Sequence, residues 1–370
     1  MKKLPFTRPS LGEEEYGAVR EVLESGWITS GPRVSELEKN LAEYIDGGVD
    51  VRLFMSATAA LEAILVAWGI GPGDEVIVPA MSFVASANVV VRVGAKPVFV
   101  DVELKSRNLN AELIEPAITD KTRAIIPVHF AGMPVDMCSI YRLADRNNLL
   151  VLEDAAQAIG TKYQGRQVGS SGNPVAFSFH PNKNMTTIEG GAIASNDPQL
   201  IKKLESIRFH GISRDDNGNM MVESWGGKMN LPDVNAAIGL TQLKKLDGFN
   251  ERRRVLADRY FARLPRHRAL VLPSRAQGHS WHMFCICLDF ESLGMSRDGV
   301  LAKFEDAGIS LGMHYPAMHL FGLYRRFGYQ PGDFPVAEQI GQQTFTLPLF
   351  PGMSVDDVDR VATVFTQLLA

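Results

Sequence analysis

Val175-Ala176-Phe177-Ser178-Phe179-His180-Pro181-Asn182-Lys183-Asn184, running on to Glu189-Gly190-Gly191, is the stretch whose reading decides the fold. An apolar strand ends at a polar cluster, a lysine follows, and a turn with two glycines leads into another strand, Ala192–Ser195. In α/β sheets, ligands gather at strand ends and in the loops that follow them. A lysine held there and partly stripped of water loses its proton readily enough to attack a carbonyl. Taken alone, a loop lysine is ordinarily a solvated charge, so the reading depends on its surroundings.

Working outward, Leu149-Leu150-Val151-Leu152-Glu153-Asp154 is a buried strand that runs into two carboxylates, the second 29 residues before Lys183. An aspartate at a strand end in a low-dielectric site suits the pyridine nitrogen of pyridoxal phosphate, which needs a carboxylate to stay protonated and act as an electron sink. A helix cap or a loop ion pair is the other reading of Asp154. Strand alternation points Glu153 to the opposite side. Earlier, Ser56-Ala57-Thr58-Ala59-Ala60 follows a strand and opens an Ala-rich helix. Small residues there let amides approach a phosphate at the positive end of the helix dipole, with hydroxyls from Thr58 and Ser178 to help. Plain helix capping competes with that role. Phe83, at a strand-to-helix turn, is placed either to stack on a pyridine ring or to pack in the core.

Around these residues, strands and helices alternate. Expected strands are 51–55, 75–78, 97–101, 123–128, 149–153, 175–179 and 192–195, with helical stretches at 58–68, 82–93, 111–118 and 135–147. That alternation predicts an α/β fold: a mostly parallel sheet between helices. Ser10 and Glu13 read as a capping box that opens a helix ending at Gly26. After about Asn230 the pattern changes to a long helix reaching Arg263, a strand at 281–288, a helix near 297–307 and a final helix at 355–369. The expected division is an N-terminal helix segment over 1–30 associated with the small lobe, a large domain over 31–245 and a smaller C-terminal α/β domain over 246–370.

A chain of 370 residues with 45% hydrophobic and 22% charged side chains builds large cores. Its net charge of −4 gives no general attraction to nucleic acid or anionic membrane. The opening Met1-Lys2-Lys3-Leu4-Pro5 lacks the apolar stretch of a signal peptide, and no run is long enough to span a bilayer. The three cysteines, Cys138, Cys285 and Cys287, are expected to be reduced thiols, and the compartment cytoplasmic. No metal site is expected.

The order of the parts is more specific than any one of them: phosphate cradle, aromatic, acid at a strand end, then Ser178-x-His180-x-x-Lys183 and the two glycines. With Gly26-Trp27-Ile28-Thr29-Ser30-Gly31-Pro32, Pro127-Val128-His129-Phe130-Ala131-Gly132, Glu153-Asp154-Ala155-Ala156-Gln157-Ala158 and Asn235-Ala236-Ala237-Ile238-Gly239, the chain resembles the DegT/DnrJ/EryC1/StrS family of sugar aminotransferases over nearly its whole length. Within that family it looks most like the ArnB-type UDP-4-amino-4-deoxy-L-arabinose aminotransferases.

The resemblance implies a fold-type I transferase dependent on pyridoxal 5′-phosphate, with pyridoxamine 5′-phosphate in the half-reaction. Its substrates would be a keto-sugar nucleotide and an amino acid, L-glutamate, serving surface polysaccharide, lipid A or glycoside biosynthesis. Lys183 would form the Schiff base and carry the proton. Asp154 would pair with the pyridine nitrogen, Gln157 would lie near the ring, and Thr58, Ala59 and Ser178 would hold the phosphate. Asn230 would reach the phosphate of the neighbouring subunit, making the active unit a homodimer with shared sites. Trp27, Thr29, His180 and His319 would lie near the sugar, His319 in a loop that helps admit it. Two positions depart from the pattern. Ile188 stands where a small residue usually precedes Glu-Gly-Gly, and Tyr315-Pro316 stands where the arabinose-type enzymes have Phe-Arg. A sugar dehydratase of this fold carries histidine at the Lys183 position; a non-catalytic regulator of this fold is the remaining alternative.

Overall fold

The computed structural model describes residues 3–222 and 224–369, so Met1 and Lys2 of the opening segment lie outside the described residues. Two helices, α1 (Glu13–Ser25) and α2 (Pro32–Ile45), precede β1 (Asp50–Phe54), α3 (Ala57–Ala67), β2 (Glu75–Pro79), α4 (Ala85–Arg92), β3 (Lys96–Val100) and β4 (Thr122–Ile125). Next come α5 (Met137–Asn147), two strand pieces β5 (Leu150–Val151) and β6 (Glu153–Asp154), and a hairpin of β7 (Lys162–Tyr163) and β8 (Arg166–Gln167). Then follow β9 (Val175–Ser178), β10 (Gly191–Ser195), α6 (Pro198–Ile207), a second hairpin of β11 (Ile212–Arg214) and β12 (Met220–Val222), and the long α7 (Asp233–Arg263).

β3, β2, β4 and β5 pair in parallel. β6 pairs in parallel with β9, which is followed outward by β10 and β1. The Leu152 amide donates to Ile125 at 3.0 Å and the Asp154 amide to Pro127 at 2.8 Å, so β5 and β6 continue one line. Among the described residues this makes one sheet of seven strands, in the order β3-β2-β4-β5/β6-β9-β10-β1, with β10 alone antiparallel. The five residues of β2 are all buried, as expected for a strand covered on both faces by helices. The mostly parallel sheet expected from the sequence is present.

Beyond α7 the chain forms β13 (Leu270–Val271), β14 (Phe284–Leu288), α8 (Arg297–Asp306), α9 (Gly322–Arg325), α10 (Pro335–Gln343), β15 (Thr344–Leu347) and α11 (Val355–Leu368). β14 lies between β13 and β15 in an antiparallel sheet, whose core joins Phe284, Phe304, Phe345 and Phe365 to Leu256 and Tyr260 of α7. Leu4 belongs to this core, and its amide donates to Gly308 at 2.8 Å. Helix α1 instead lies along α7 where Gln242 and Lys245 meet Glu15. Helix α7 runs unbroken through Lys245 and Leu246, so no linker interrupts the chain at that point.

Several local expectations are corrected. Helix α1 is capped by Gly12, not by a Ser10–Glu13 box: Glu15 reaches back to the Gly12 amide at 2.8 Å, and the Ser10 carbonyl is taken by Gln242. The stretch 111–118 forms two short 3₁₀ turns, because Pro116 lacks the amide an α-helix would need. Helix α7 begins at Asp233 after Pro232, so Asn230 is not its cap. The Asp233 carboxylate instead serves α2, accepting the amides of Gly31 at 2.8 Å, Arg33 at 3.0 Å and Val34 at 2.9 Å. All three cysteines are free, as expected, with Cys285 and Cys287 buried in β14. Among the described residues no helix is long and apolar enough to cross a membrane, and no cluster could hold a metal ion.

Candidate active site

The site forms where β6, β9, α3 and α4 converge. Asp154, at the end of β6, is 4% exposed. Its Oδ2 accepts from the Ser86 hydroxyl at 2.7 Å and its Oδ1 from the Ala156 amide at 3.1 Å. Glu153 faces the other way, as alternation requires. There it accepts from Tyr141, from Ser171 at 3.1 Å and from His129 at 2.8 Å. His129 Nδ1 accepts the Val135 amide, so its Nε2 carries the proton and donates to Glu153. That network ties β6 to Tyr141 of α5 and to Ser171 in the loop before β9.

Lys183 sits on the loop after β9, with its amide donating to His180 at 2.8 Å. The loop is pinned by Thr186 to the Phe179 carbonyl at 2.9 Å and by Asn184, which donates to Asn250 at 2.7 Å and to the Ser280 carbonyl at 2.9 Å. Burial among protein atoms lowers the ammonium pKa to about 8, against an opposing pull from Asp154. At that value a substantial neutral fraction exists near pH 7.5. His282, bonded to Asn184 at 3.2 Å, is pushed well down by burial and then by the positive charge of Lys183 and Arg253.

The N-terminus of α3 has the shape of an anion cradle. Ser56 caps it by accepting the Ala59 amide at 3.1 Å, a bond worth about 1 kcal/mol. Among the described residues the Ala57 and Thr58 amides have no intrachain acceptor, and Thr58 is exposed. Ala59 is thus committed to its own cap, which leaves Thr58 as the better placed donor. Gly191 passes so close that an added Cβ would stand 2.3 Å from the Ala57 nitrogen. Only glycine leaves this space open. Ser178, at the end of β9, receives the His180 amide at 3.5 Å.

The remaining expected residues divide. Phe83 is 53% exposed, so core packing is not its role, and its ring lies 5.8 Å from that of Tyr315. Gln157 is buried and accepts the Ala131 amide at 2.6 Å. Asn230 bonds to Ser30 and to Lys228. Trp27, Thr29 and His180 are exposed, with His180 Nδ1 2.9 Å from Asn182. His319 is the exception. It is fully buried against Phe334 and bonded to Glu338 at 2.9 Å, so it cannot touch a sugar in this structure. Its place in an irregular segment suggested exposure; the aromatic packing of α9 and α10 decided otherwise. Ser86 was missed, although its spacing of four from Ser82 places both on one face of a helix start. Ile188 holds φ at +69°, the left-handed region, at a cost of about 1–2 kcal/mol. A glycine would adopt that torsion without this cost.

These parts fit pyridoxal phosphate: amides and hydroxyls for a phosphate, a carboxylate at a strand end, and an amine of lowered pKa. Comparisons agree. DesV of S. venezuelae, solved with a ketimine intermediate, is 33% identical over 100% of both chains with a TM-score of 0.92. PseC of Helicobacter pylori, an aminotransferase involved in the biosynthesis of pseudoaminic acid, is 29% identical over 100% of this chain and 99% of its own, with a TM-score of 0.93. Spr1654 of Streptococcus pneumoniae, solved in PLP and PMP forms, is 31% identical with a TM-score of 0.92; in its PLP form 100% of both chains is covered. The model of the DegT/DnrJ/EryC1/StrS aminotransferase family matches residues 9–366, and the chain belongs to that family.

Proposed function

We propose that this aminotransferase, which works with pyridoxal phosphate, moves the amino group of L-glutamate onto the ketone carbon of a nucleotide-linked sugar in the cytoplasm, as a homodimer with shared sites. The observation that carries the reading is the half-buried Lys183 amine, its pKa lowered to about 8, close enough to the Asp154 carboxylate at the end of β6 to feel its charge.

Bound pyridoxal phosphate supplies the electron sink and carries the amino group between the two half-reactions. The protein's own residues do the rest. Thr58 and Ser178 hold the phosphate at the α3 N-terminus, and Ala59 shapes the cradle. Asn230 of each subunit reaches the neighbour's phosphate. Asp154, oriented by Ser86 and the Ala156 amide, pairs with the ring nitrogen. Phe83 and Gln157 fix the plane of the ring. Lys183 Nζ takes the proton from the α-carbon of the amino donor, and in the second half-reaction it returns a proton to the sugar carbon. One amine serves as base and then as acid, which a pKa near neutrality permits. Trp27, Thr29 and His180, all exposed, are the sugar-side residues. Tyr315-Pro316 in place of a Phe-Arg pair removes a cation, so an arabinose-type sugar nucleotide would lack that contact here.

The test is a screen of nucleotide-linked keto sugars with glutamate, following 2-oxoglutarate release. Glutamate should bleach the visible absorbance of the holoenzyme, and at least one keto sugar should restore it. A holoenzyme whose absorbance glutamate leaves unchanged would refute the reading.

A further inference from the structure

Arg107 is a buried guanidinium with no carboxylate partner among the described residues. It is 3% exposed and belongs to a tight turn in which its amide donates to Glu103 at 2.8 Å, with φ in the left-handed region at +62°. From this large-domain turn the side chain crosses to the small lobe. Nη1 donates to the His314 carbonyl at 3.1 Å and to Thr344 Oγ1 at 2.8 Å, and Nη2 donates to Cys287 Sγ at 3.3 Å. The guanidinium lies 5.8 Å from the centre of the Phe130 ring. Among the described residues no acid forms an ion pair with it. Burying such a charge on neutral acceptors is costly, and a hydrophobic replacement of similar shape is often no less stable. What the arrangement fixes is the backbone at His314, one residue before Tyr315.

Tyr315 reaches into the site. Its ring lies 5.8 Å from Phe83 and 6.1 Å from Phe130. Among the described residues its hydroxyl donates to no acceptor, and the Gln157 side chain lies beside it. Gln157 Oε1 accepts the Ala131 amide at 2.6 Å, which fixes that side chain. The phenol proton is therefore left for an acceptor in the site. Burial, then Cys285 and Asp154, keeps the phenol protonated.

We propose that Tyr315 is a cofactor-contacting hydrogen-bond donor and that Arg107 is the positioning residue that holds it there, bridging the two lobes. This rests on the reading that the site binds pyridoxal phosphate.

The experiment titrates the visible absorbance of the bound cofactor against pH, together with pyridoxal phosphate affinity and melting temperature, in the full-length enzyme. Tyr315→Phe should fold normally, raise the pH midpoint of the absorbance change by about half a unit or more, and weaken cofactor binding about threefold or more. Arg107→Met should move the midpoint in the same direction, and the double variant should move it no further than Tyr315→Phe alone. Arg107→Lys, which keeps the charge but lacks the fork, should behave like Arg107→Met. An unchanged midpoint and affinity in folded Tyr315→Phe would overturn the contact. Additive shifts in the double variant, or failure of both Arg107 variants to fold, would overturn the positioning role. A wild-type enzyme that binds no pyridoxal phosphate would bring down the underlying reading instead.

Discussion

The Ser86 hydroxyl donates to Asp154 Oδ2 at 2.7 Å, across 68 residues of chain. It orients the carboxylate without neutralising it, and the two residues are expected to fail to different degrees. Asp154→Asn removes the charge and should lower kcat/KM by about 10²-fold or more, roughly 3 kcal/mol of transition-state stabilisation. Ser86→Ala removes one hydrogen bond and should cost about 1 kcal/mol, near fivefold. Steady-state kinetics of both variants checks the ranking, and a change under threefold in Asp154→Asn would make that group merely structural.

Lys183→Ala should abolish transamination while the circular dichroism spectrum stays that of the wild type, since the residue lies in a loop after β9. In the wild-type apoenzyme, the neutral amine is the nucleophile. Covalent capture of pyridoxal phosphate, trapped with borohydride and read by mass spectrometry, should therefore accelerate with pH up to about 8 and then level off. Turnover in Lys183→Ala, or a borohydride adduct on another lysine, would contradict the assignment.

Shared sites predict complementation. Mixing Lys183→Ala with Asn230→Ala subunits gives hybrid dimers with one site carrying both lesions and one carrying neither. With random exchange and an impaired Asn230→Ala parent, activity should rise to about a quarter of wild type. Activity no greater than that of the parents, despite proven exchange, would mean that each site is built within one chain.

Glu15 ties α1 to α7. Burial raises its pKa, but hydrogen bonds from Lys245, Gln242 and the Gly12 amide outweigh burial and hold it down to about 2. The depressed value means that the carboxylate stabilises the fold above about pH 4.5, and that this contribution fades as pH falls towards 2. Glu15→Gln should cost about 2–3 kcal/mol at pH 7 and progressively less below pH 4.5. Urea unfolding across that range measures it, and a pH-independent difference would show that the charge is irrelevant.

Ile188→Gly should relieve the torsional cost at φ +69°, offset in part by the freedom glycine gains when unfolded. The expected result is a variant more stable by about 0.5–1 kcal/mol, measured by denaturant midpoint. A destabilised variant would mean that the isoleucine side chain makes contacts worth more than its strain.

The sequence by itself determined the α/β alternation, the strand ends at Asp154 and Ser178, the Lys183 loop and the small-residue start of α3. These depend on local rules, the period of apolar residues and the chemistry of turns, which a linear reading detects. Only the tertiary structure decided matters that join distant segments. Asp233 caps α2 although it heads α7, because folding sets the open amides of Arg33 and Val34 against its carboxylate. His319 is sealed under Phe334 by the packing of α9 and α10, and Ser86 meets Asp154 only when α4 lies over β6. Arg107 finds its acceptors in a different lobe. Backbone pattern is encoded by near neighbours, whereas a polar side chain's partner is whichever group the fold buries beside it.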